Sequence, residues 1–316
     1  MAPTPTLAVP ESYNALPLAC IKAQHHPASS PSVTPIIIVT LYRPKAYNAF
    51  NFEMQKEMEL VMTLCDIDDR VKAVIVTGHG KMYCAGADMG GDKPAFQRDT
   101  KVRVPDQRDG GGQMTHSIYR CRKPVIGAIQ GSAVGIGITM TLPMTIRISC
   151  KTAKIGFVFA RRGLVMEAMS SFFLPRLIGY AKALHVASTG AVYAPDDKLL
   201  EGLFSEVLDK PEQVLPRAIQ IAEDIAANCS TVSLMLIKEL IWRNPGSAES
   251  THLLDSKIMW ELYGSADSAE GVKSFMEKRA VKFTDSVIND APGTYPWWDQ
   301  INTVPRTVPE PKSSKL

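Results

Sequence analysis

The feature that most constrains the fold is a repeated alternation of short apolar strands with turns of small residues. The segments VKAVIVTG (71–78), PVIGAIQG (124–131) and TIRISC (145–150) are short and rich in β-branched residues, as buried strands are. Glycine-containing turns follow the first two, at 81–91 and 132–143, and the second turn enters a helix. This recurrence predicts an α/β fold of stacked β/α turns, with the turns gathered on one side.

Segments with apolar residues at helical spacing surround these strands. From about Tyr180 onward helices dominate, and no interdomain linker interrupts them, so we expect the helices to belong to the same domain or to its oligomer interface. The polar segment 91–112 is predicted to be a mobile loop. The predicted helices are 46–68, 113–122, 214–229, 231–244 and 251–283.

Composition narrows the class of protein. With 316 residues, of which 45% are hydrophobic and 21% charged, the chain has the content of a globular protein with a large core. A net charge of +3 is too small for a dedicated nucleic-acid-binding protein, and no apolar run reaches the roughly 18 residues that span a bilayer. The six cysteines are scattered without a C-x-x-C pair, which indicates reduced intracellular thiols and no metal site.

The last three residues are Ser314, Lys315 and Leu316. This tripeptide is the peroxisomal address, which an import receptor reads at a free C-terminus. The segment before it is Pro-rich and polar, so we expect it to be unpacked and accessible. The sequence therefore predicts a peroxisomal protein.

The two small-residue turns, CAGAD (84–88) and GSAVGIG (131–137), admit two interpretations. Glycine and alanine let a ligand approach the backbone N–H groups, so facing turns could donate to one oxygen as an oxyanion hole. The alternative is two tight packing turns, which spacing alone favours. Neither turn contains a complete dinucleotide-binding G-x-G-x-x-G motif.

Four segments together resemble the crotonase (enoyl-CoA hydratase/isomerase) superfamily: LYRPKAYNAF (41–50), YCAGADM (83–89), PVIGAIQGSAVGIGITM (124–140) and SFMEKRAVKF (274–283). They occur in the family's order and spacing, over about residues 15–285. The resemblance implies a ββα spiral core with a C-terminal helical trimerisation region, assembled as a trimer or a dimer of trimers. It also implies an acyl-CoA thioester as substrate, with no cofactor because coenzyme A is part of that substrate.

The resemblance also divides the chain. It implies a flexible N-terminus over 1–14, a crotonase domain over 15–285 and a Pro-rich tail over 286–316. Within the domain, the spiral core is expected to extend to about residue 195 and the helical part to occupy 196–285.

The resemblance implies that the backbone N–H groups of Ala87 and Ile136 bind the thioester oxygen. Many hydratases have glycine where this chain has Ile136, but only the backbone N–H is used.

Lys45 and Lys278 are candidates for phosphate contacts, Lys278 across a subunit boundary. A methionine-rich set, Met89, Met140, Met166 and Met169, is a candidate lining for an adaptable acyl pocket, although each is more often a core residue. The further substrate-binding candidates are Ala85, Gly86, Asp88, Gly135 and Phe159.

The chain departs from the hydratases at both of their glutamate positions, which hold Thr139 and Phe159 here. Instead, RRGLVMEAMSSFFLP (161–175) is similar to the segment that carries the single catalytic glutamate of peroxisomal Δ3,Δ2-enoyl-CoA isomerases. Glu167 takes that place, and it is the one acid between Asp109 and Asp196. Acids near a coenzyme A site would repel its phosphates and an enolate, which accounts for the acid-poor stretch.

One carboxylate suits isomerisation, because a single base can take a proton from C2 and return it at C4 of the same dienolate. The sequence thus predicts a 3-enoyl-CoA to 2-enoyl-CoA isomerase, in fatty-acid β-oxidation or in acyl-group and secondary-metabolite biosynthesis. Two alternatives are a hydratase or dehydratase with a non-standard carboxylate arrangement and a non-catalytic acyl-CoA-binding scaffold. Glu167 could also be an ordinary surface acid beside Arg161 and Arg162. The base would then be sought among Asp88, Asp92 and Asp99.

Overall fold

The computed structural model describes residues 7–90, 96, 100 and 102–304. From residue 73 to residue 156, consecutive strands alternate between two sheets. The strands are β1 (Ile21–His25), β2 (Ile36–Leu41), β3 (Ala73–Gly78), β4 (Met82–Cys84), β5 (Val125–Ile129), β6 (Ser132–Val134), β7 (Ile146–Cys150), β8 (Ile155–Gly156), β9 (Val192–Tyr193) and β10 (Glu206–Leu208).

The larger sheet has the order β1-β2-β3-β5-β7-β10 and the smaller sheet the order β4-β6-β8-β9. Pairing is parallel throughout except between β1 and β2 and between β8 and β9. The pairs β3/β4, β5/β6 and β7/β8 each place one strand in either sheet, which is a spiral of repeated turns. The predicted α/β spiral architecture is confirmed, and the turns that follow β4 and β6 lie side by side.

Helices cover the sheets and extend beyond them. They are α1 (Phe52–Ile67), α2 (Gly110–Arg120), α3 (Ile136–Thr139), α4 (Ser170–Ile178), α5 (Tyr180–Thr189), α6 (Val214–Asn228), α7 (Thr231–Trp242), α8 (Ala248–Leu262) and α9 (Ala266–Glu277). The alternation of β3 explains the layering. Val74 and Val76 join the core that contains α1, whereas Ala73 and Ile75 join a second core against α6.

The three predicted central strands are present, but three helix predictions need correction. Helix α1 starts at Phe52 rather than at 46, because Tyr47 and Asn48 have left-handed φ values of 50° and 57°. Asn51 then caps the helix by accepting from the Met54 N–H at 2.9 Å. The single helix predicted over 251–283 is wrong as well, since the chain breaks at Gly264, with φ +82°, between α8 and α9.

The third correction concerns the polar segment 91–112. Residues 91–95, 97–99 and 101 lie outside the described residues, but 110–112 are helical, so α2 begins three residues earlier than predicted. Asp109 caps it by accepting from the Gly112 N–H. The spiral core also continues past 195, because β10 pairs in parallel with β7.

Both ends of the described chain pack more than the sequence predicts. Tyr13, expected in a flexible N-terminus, is 1% exposed, and its hydroxyl hydrogen-bonds the Asp68 carboxylate at 3.3 Å. In the segment predicted as a Pro-rich tail, Val287 is buried with α7 and α8, and the Trp297 indole N–H donates to the Arg243 carbonyl at 3.1 Å. Residues 305–316, which include the predicted targeting tripeptide, lie outside the described residues.

Candidate active site

The first small-residue turn follows β4 and exposes one backbone donor. The Phe50 N–H donates to the Gly86 carbonyl and the Asp88 N–H to the Phe50 carbonyl, both at 2.8 Å. In an extended segment, alternate residues direct their N–H groups to opposite sides, so the Ala87 N–H faces away from Phe50. Within the described part of the chain it has no acceptor. Gly86 adopts φ +100°, a conformation that favours glycine.

The second turn follows β6 and has the same property. The Gly135 N–H donates to the Gly156 carbonyl at 2.9 Å, and the Gly135 carbonyl accepts from the Thr139 N–H at 3.0 Å. Ile136 is the first residue of α3, so its N–H has no partner inside the helix. No acceptor for it lies among the residues that the structure describes.

The two turns are in contact because β4 and β6 are paired in parallel. A Cβ at Gly86 would lie 3.0 Å from the Val134 carbonyl oxygen, and one at Gly137 would lie 2.4 Å from the Cys84 carbonyl oxygen. Glycine is therefore required for the turns to approach this closely. Two neighbouring N–H groups without acceptors can bind and stabilise one oxygen on which negative charge develops.

Glu167 lies in a strained segment between β8 and α4. Ala168 and Met169, which follow it, both have left-handed backbones, with φ of 54° and 56°. The Glu167 carbonyl accepts from the Ser170 N–H at 2.9 Å and from its hydroxyl at 2.5 Å, which holds the strained turn in place. Residues other than glycine that adopt such strained conformations are concentrated at functional sites, where the surrounding structure maintains the strain.

The Glu167 carboxylate is partly buried. Its Oε1 accepts from the Thr139 hydroxyl at 2.5 Å, and it has no other hydrogen-bond partner among the described residues. Burial raises the pKa of Glu167 to about 7, the Thr139 hydrogen bond opposes that shift, and the charge of Asp109 adds to it. A carboxylate with this pKa is poised to exchange protons near neutral pH.

The first turn of α2 forms the wall beside Glu167. A Cβ at Gly111 would lie 2.2 Å from Glu167 Oε2 and 2.8 Å from Ile136 Cδ1. The missing side chain is therefore what admits the carboxylate, and it places Oε2 near the second turn. Sequence reasoning assigned 110–112 to a loop and missed this role. The signal that could have revealed it is Asp109, a helix-capping residue directly before three glycines and a helical pattern.

Asp88, predicted to bind substrate, forms an ion pair with Arg43. Its carboxylate accepts from the Arg43 guanidinium at 2.7 Å, and Arg43 also donates to the Ala49 carbonyl. The Arg43 hydrogen bond holds the pKa of Asp88 below its usual value. The alternative bases Asp92 and Asp99 lie outside the described residues.

The other predicted substrate-binding residues lie at different places in the structure. Ala85 donates its N–H to the Tyr47 carbonyl at 3.1 Å, close in the chain to the exposed Lys45. Lys278 is exposed at the end of α9, and no hydrogen bond or ion pair among the described residues links it to the site. Phe159 is buried and, with Met166, lines a surface groove of about 510 Å³.

The four methionines are not gathered in one pocket. Met140 is buried in the core, Met89 is 58% exposed and Met166 lines the groove with Phe159. Only Met169 borders a larger cavity of about 850 Å³, between α1, α2, α7 and the tail segment 295–304. Met169 is two residues from Glu167 in the chain, so the cavity lies beside the segment that carries Glu167. The cavity is lined by both polar and apolar side chains. Its walls include Met62, Tyr119, His116, Arg120, Arg243 and Trp298.

Neither a metal cluster nor a single spanning helix is found in the described ranges. No group of three or more His, Cys, Asp or Glu side chains there could hold a metal ion. No one helix there is long and apolar enough to cross a bilayer. The bent pair Pro211–Asn228 and Thr231–Trp242, at 115°, meets that criterion jointly by length and composition.

Comparisons with known proteins place this site in a family. Residues 33–286 match the enoyl-CoA hydratase/isomerase family. The chain is 46% identical to enoyl-CoA hydratase AFT3-1 of Alternaria alternata, over 81% of this chain and 86% of that protein. It is 32% identical to 1,2-epoxyphenylacetyl-CoA isomerase of Escherichia coli (strain K12), over 79% and 95%.

A solved structure agrees with these sequence matches. The crystal structure of an enoyl-CoA hydratase from Bacillus anthracis superposes with a TM-score of 0.74 at 25% identity, covering 84% of this chain and 99% of that one. The family match over residues 33–286 contains both turns, Glu167 and the strands from β2 to β10. The protein belongs to the enoyl-CoA hydratase/isomerase (crotonase) family and is an enzyme that acts on acyl-CoA thioesters.

Proposed function

We propose that the protein shifts the double bond of a 3-enoyl-CoA to give a 2-enoyl-CoA, with Glu167 as its base. The observation that carries this proposal is the partly buried Glu167 carboxylate, whose pKa is raised to about 7, beside the turns of Ala87 and Ile136. These turns supply two N–H groups that have no acceptor in the described chain. Such donors stabilise the negative charge that forms on a thioester oxygen when C2 loses a proton.

The proton balance of this reaction needs one base. Glu167 takes a proton from C2, and the electron pair moves into an enolate conjugated with the C3–C4 double bond. The same carboxyl group returns the proton at C4, which leaves the double bond between C2 and C3. Thr139 and Phe159 offer no second carboxylate, and Asp88 is paired with Arg43.

A second candidate is the addition or removal of water, which the name of the 46% identical Alternaria protein favours. Hydration would need one group to activate water and another to protonate carbon. Asp109 is the acid whose charge acts on Glu167 in the structure, and it caps the helix turn that borders Glu167. Under this candidate, Glu167 and Asp109 would divide the two tasks.

Turnover of three substrates by the purified protein tests the choice: a 3-enoyl-CoA, a 2-enoyl-CoA and a 3-hydroxyacyl-CoA. The proposal predicts conversion of the 3-enoyl thioester, retained in Asp109→Asn. Interconversion of the 2-enoyl and 3-hydroxyacyl thioesters that is lost in Asp109→Asn would favour hydration instead. Binding of all three without turnover would identify a non-catalytic scaffold.

We also propose that the enzyme is peroxisomal, in β-oxidation or in acyl-group supply for secondary metabolism. The support is the terminal Ser314-Lys315-Leu316. A fluorescent protein fused to the N-terminus should give punctate peroxisomal fluorescence that becomes cytosolic when Leu316 is deleted. Unchanged punctate fluorescence after the deletion would contradict this location.

A trimer or a dimer of trimers is proposed as the assembly. The C-terminal helices expose apolar side chains in the single chain, and contiguous exposed apolar surface is typical of an interface. These are Leu253, Trp260, Val272, Phe275 and Met276, each at least 66% exposed. Light scattering during size-exclusion chromatography should give three or six times the 34.6 kDa chain mass. A monomeric mass would contradict the proposal.

A further inference from the structure

The proposed reaction assigns no role to Thr139, although this residue contacts the proposed base. It is fully buried, and its hydroxyl oxygen lies 2.5 Å from Glu167 Oε1 and 3.2 Å from the Gly135 carbonyl oxygen. A hydroxyl has one proton, so the shorter contact to the charged carboxylate takes it. The side chain therefore holds one oxygen of the base and leaves Oε2 without a partner in the described chain.

The same helical turn carries both Thr139 and an oxyanion donor. Helix α3 consists of Ile136–Thr139, and the Thr139 N–H donates to the Gly135 carbonyl at 3.0 Å. The thioester oxygen and the C2 proton are separated by few bonds, so a base that removes this proton must keep a fixed distance from the oxyanion donors. Misplacement by about 1 Å can cost about a hundredfold in rate.

We propose that Thr139 is a positioning residue that ties Glu167 to the oxyanion turn, so that Oε2 faces the reacting carbons. This inference rests on the proposed role of Glu167 as the base. The space for Oε2 is the one that Gly111 leaves open. Because Thr139 donates to the carboxylate, it also favours the charged, proton-accepting form of Glu167.

Other groups near Glu167 also influence its pKa, so a test of Thr139 must leave those groups unchanged. Asp109 at the start of α2 raises the pKa of Glu167 by its charge. On β4, burial raises the pKa of the Cys84 thiol to about 12, so this neighbour stays neutral over the accessible pH range. A change at Thr139 alone therefore reports on its hydroxyl.

The test compares Thr139→Val, which removes the hydroxyl and retains the shape, with Thr139→Ser, which retains the hydroxyl. In the full-length protein, Val should lower kcat about tenfold with little change in KM, since the oxyanion and coenzyme A contacts remain. Losing the donor raises the pKa of Glu167, so the pH of half-maximal kcat/KM should also move upward. Ser should restore both values.

Two results would overturn the inference. One is a Thr139→Val enzyme with wild-type kcat and an unmoved pH profile. The other is a Thr139→Ser enzyme as impaired as Thr139→Val, which would indicate packing by the γ-methyl group. If Thr139→Val does not fold, Ser is compared with Ala, because both lack that methyl and differ by the hydroxyl.

A second readout separates this inference from the isomerase proposal. In D2O, the base should exchange the C2 protons of a saturated acyl-CoA, which requires proton removal but no double-bond shift. If wild-type protein exchanges these protons without isomerising a 3-enoyl-CoA, the isomerase proposal fails and the Thr139 comparison is read from exchange. If it does neither, Glu167 is not such a base and the inference fails.

Discussion

The segments around Asp88 and Glu167 place two acids at the same site in opposite environments. Asp88 follows the first oxyanion turn and is paired with Arg43 at 2.7 Å, which lowers its pKa. Glu167 has a hydroxyl as its partner, and burial raises its pKa to about 7. The comparison shows that surroundings, rather than residue type, decide which acid can serve as a base.

Removing each carboxylate in turn should give the largest contrast. Glu167→Gln keeps the shape but cannot accept a proton, so isomerisation should fall at least ~10²-fold. Acyl-CoA binding should persist, because the backbone donors remain. Asp88→Asn should stay within about tenfold of wild type, since the Asp88 carboxylate is already hydrogen-bonded to Arg43. Rates and dissociation constants on the same preparations check this, and wild-type turnover by Glu167→Gln would assign the base elsewhere.

Removing an oxyanion donor should have the next largest effect. Ala87→Pro deletes the N–H and should lower kcat by about 10²-fold. Ala87→Gly is the matched control, because it keeps the N–H and removes the side chain. Circular dichroism must show that the proline variant is folded. Full activity in a folded Ala87→Pro protein would mean that the thioester oxygen is bound at another place.

Substitutions at two glycines of α2 should show whether the Glu167 carboxylate lies where the structure places it. A methyl group at Gly111 meets Glu167 Oε2, whereas one at Gly110 meets the Gln55 amide oxygen instead. We expect Gly111→Ala to lower kcat roughly tenfold by displacing the carboxylate. Gly110→Ala should leave kcat near wild type. Equal effects of the two variants on kcat would contradict the assigned position of Glu167.

The smallest expected effect is on stability. The Arg43–Asp88 pair is about four-fifths buried, with 20% and 17% of the two side chains exposed. Asp88→Asn keeps an acceptor for Arg43 but loses the charge that strengthens this hydrogen bond, so the free energy of unfolding should fall by about 1 kcal/mol, as measured by urea denaturation. Unchanged stability together with a raised KM would indicate that Asp88 contacts substrate after all.

The sequence predicts much of the fold because its signals are local. The β-branched runs of β3, β5 and β7 identify buried strands, and the small residues near Gly86 and Gly135 identify the turns. Local signals fail where distant segments meet. The contacts of Thr139 and Gly111 with Glu167 join residues 28 and 56 positions from it, and no periodicity encodes them. The partner of Asp88 is likewise 45 residues away.

The pH dependence of kcat/KM tests the central claim most directly, because the two acids titrate in different ranges. A base must be deprotonated, so with Glu167 as base kcat/KM should rise with pH and reach half its maximum near pH 7. Below that pH it should fall about tenfold per unit. Full activity retained down to pH 5 would contradict the account, since it would indicate a base of low pKa such as Asp88.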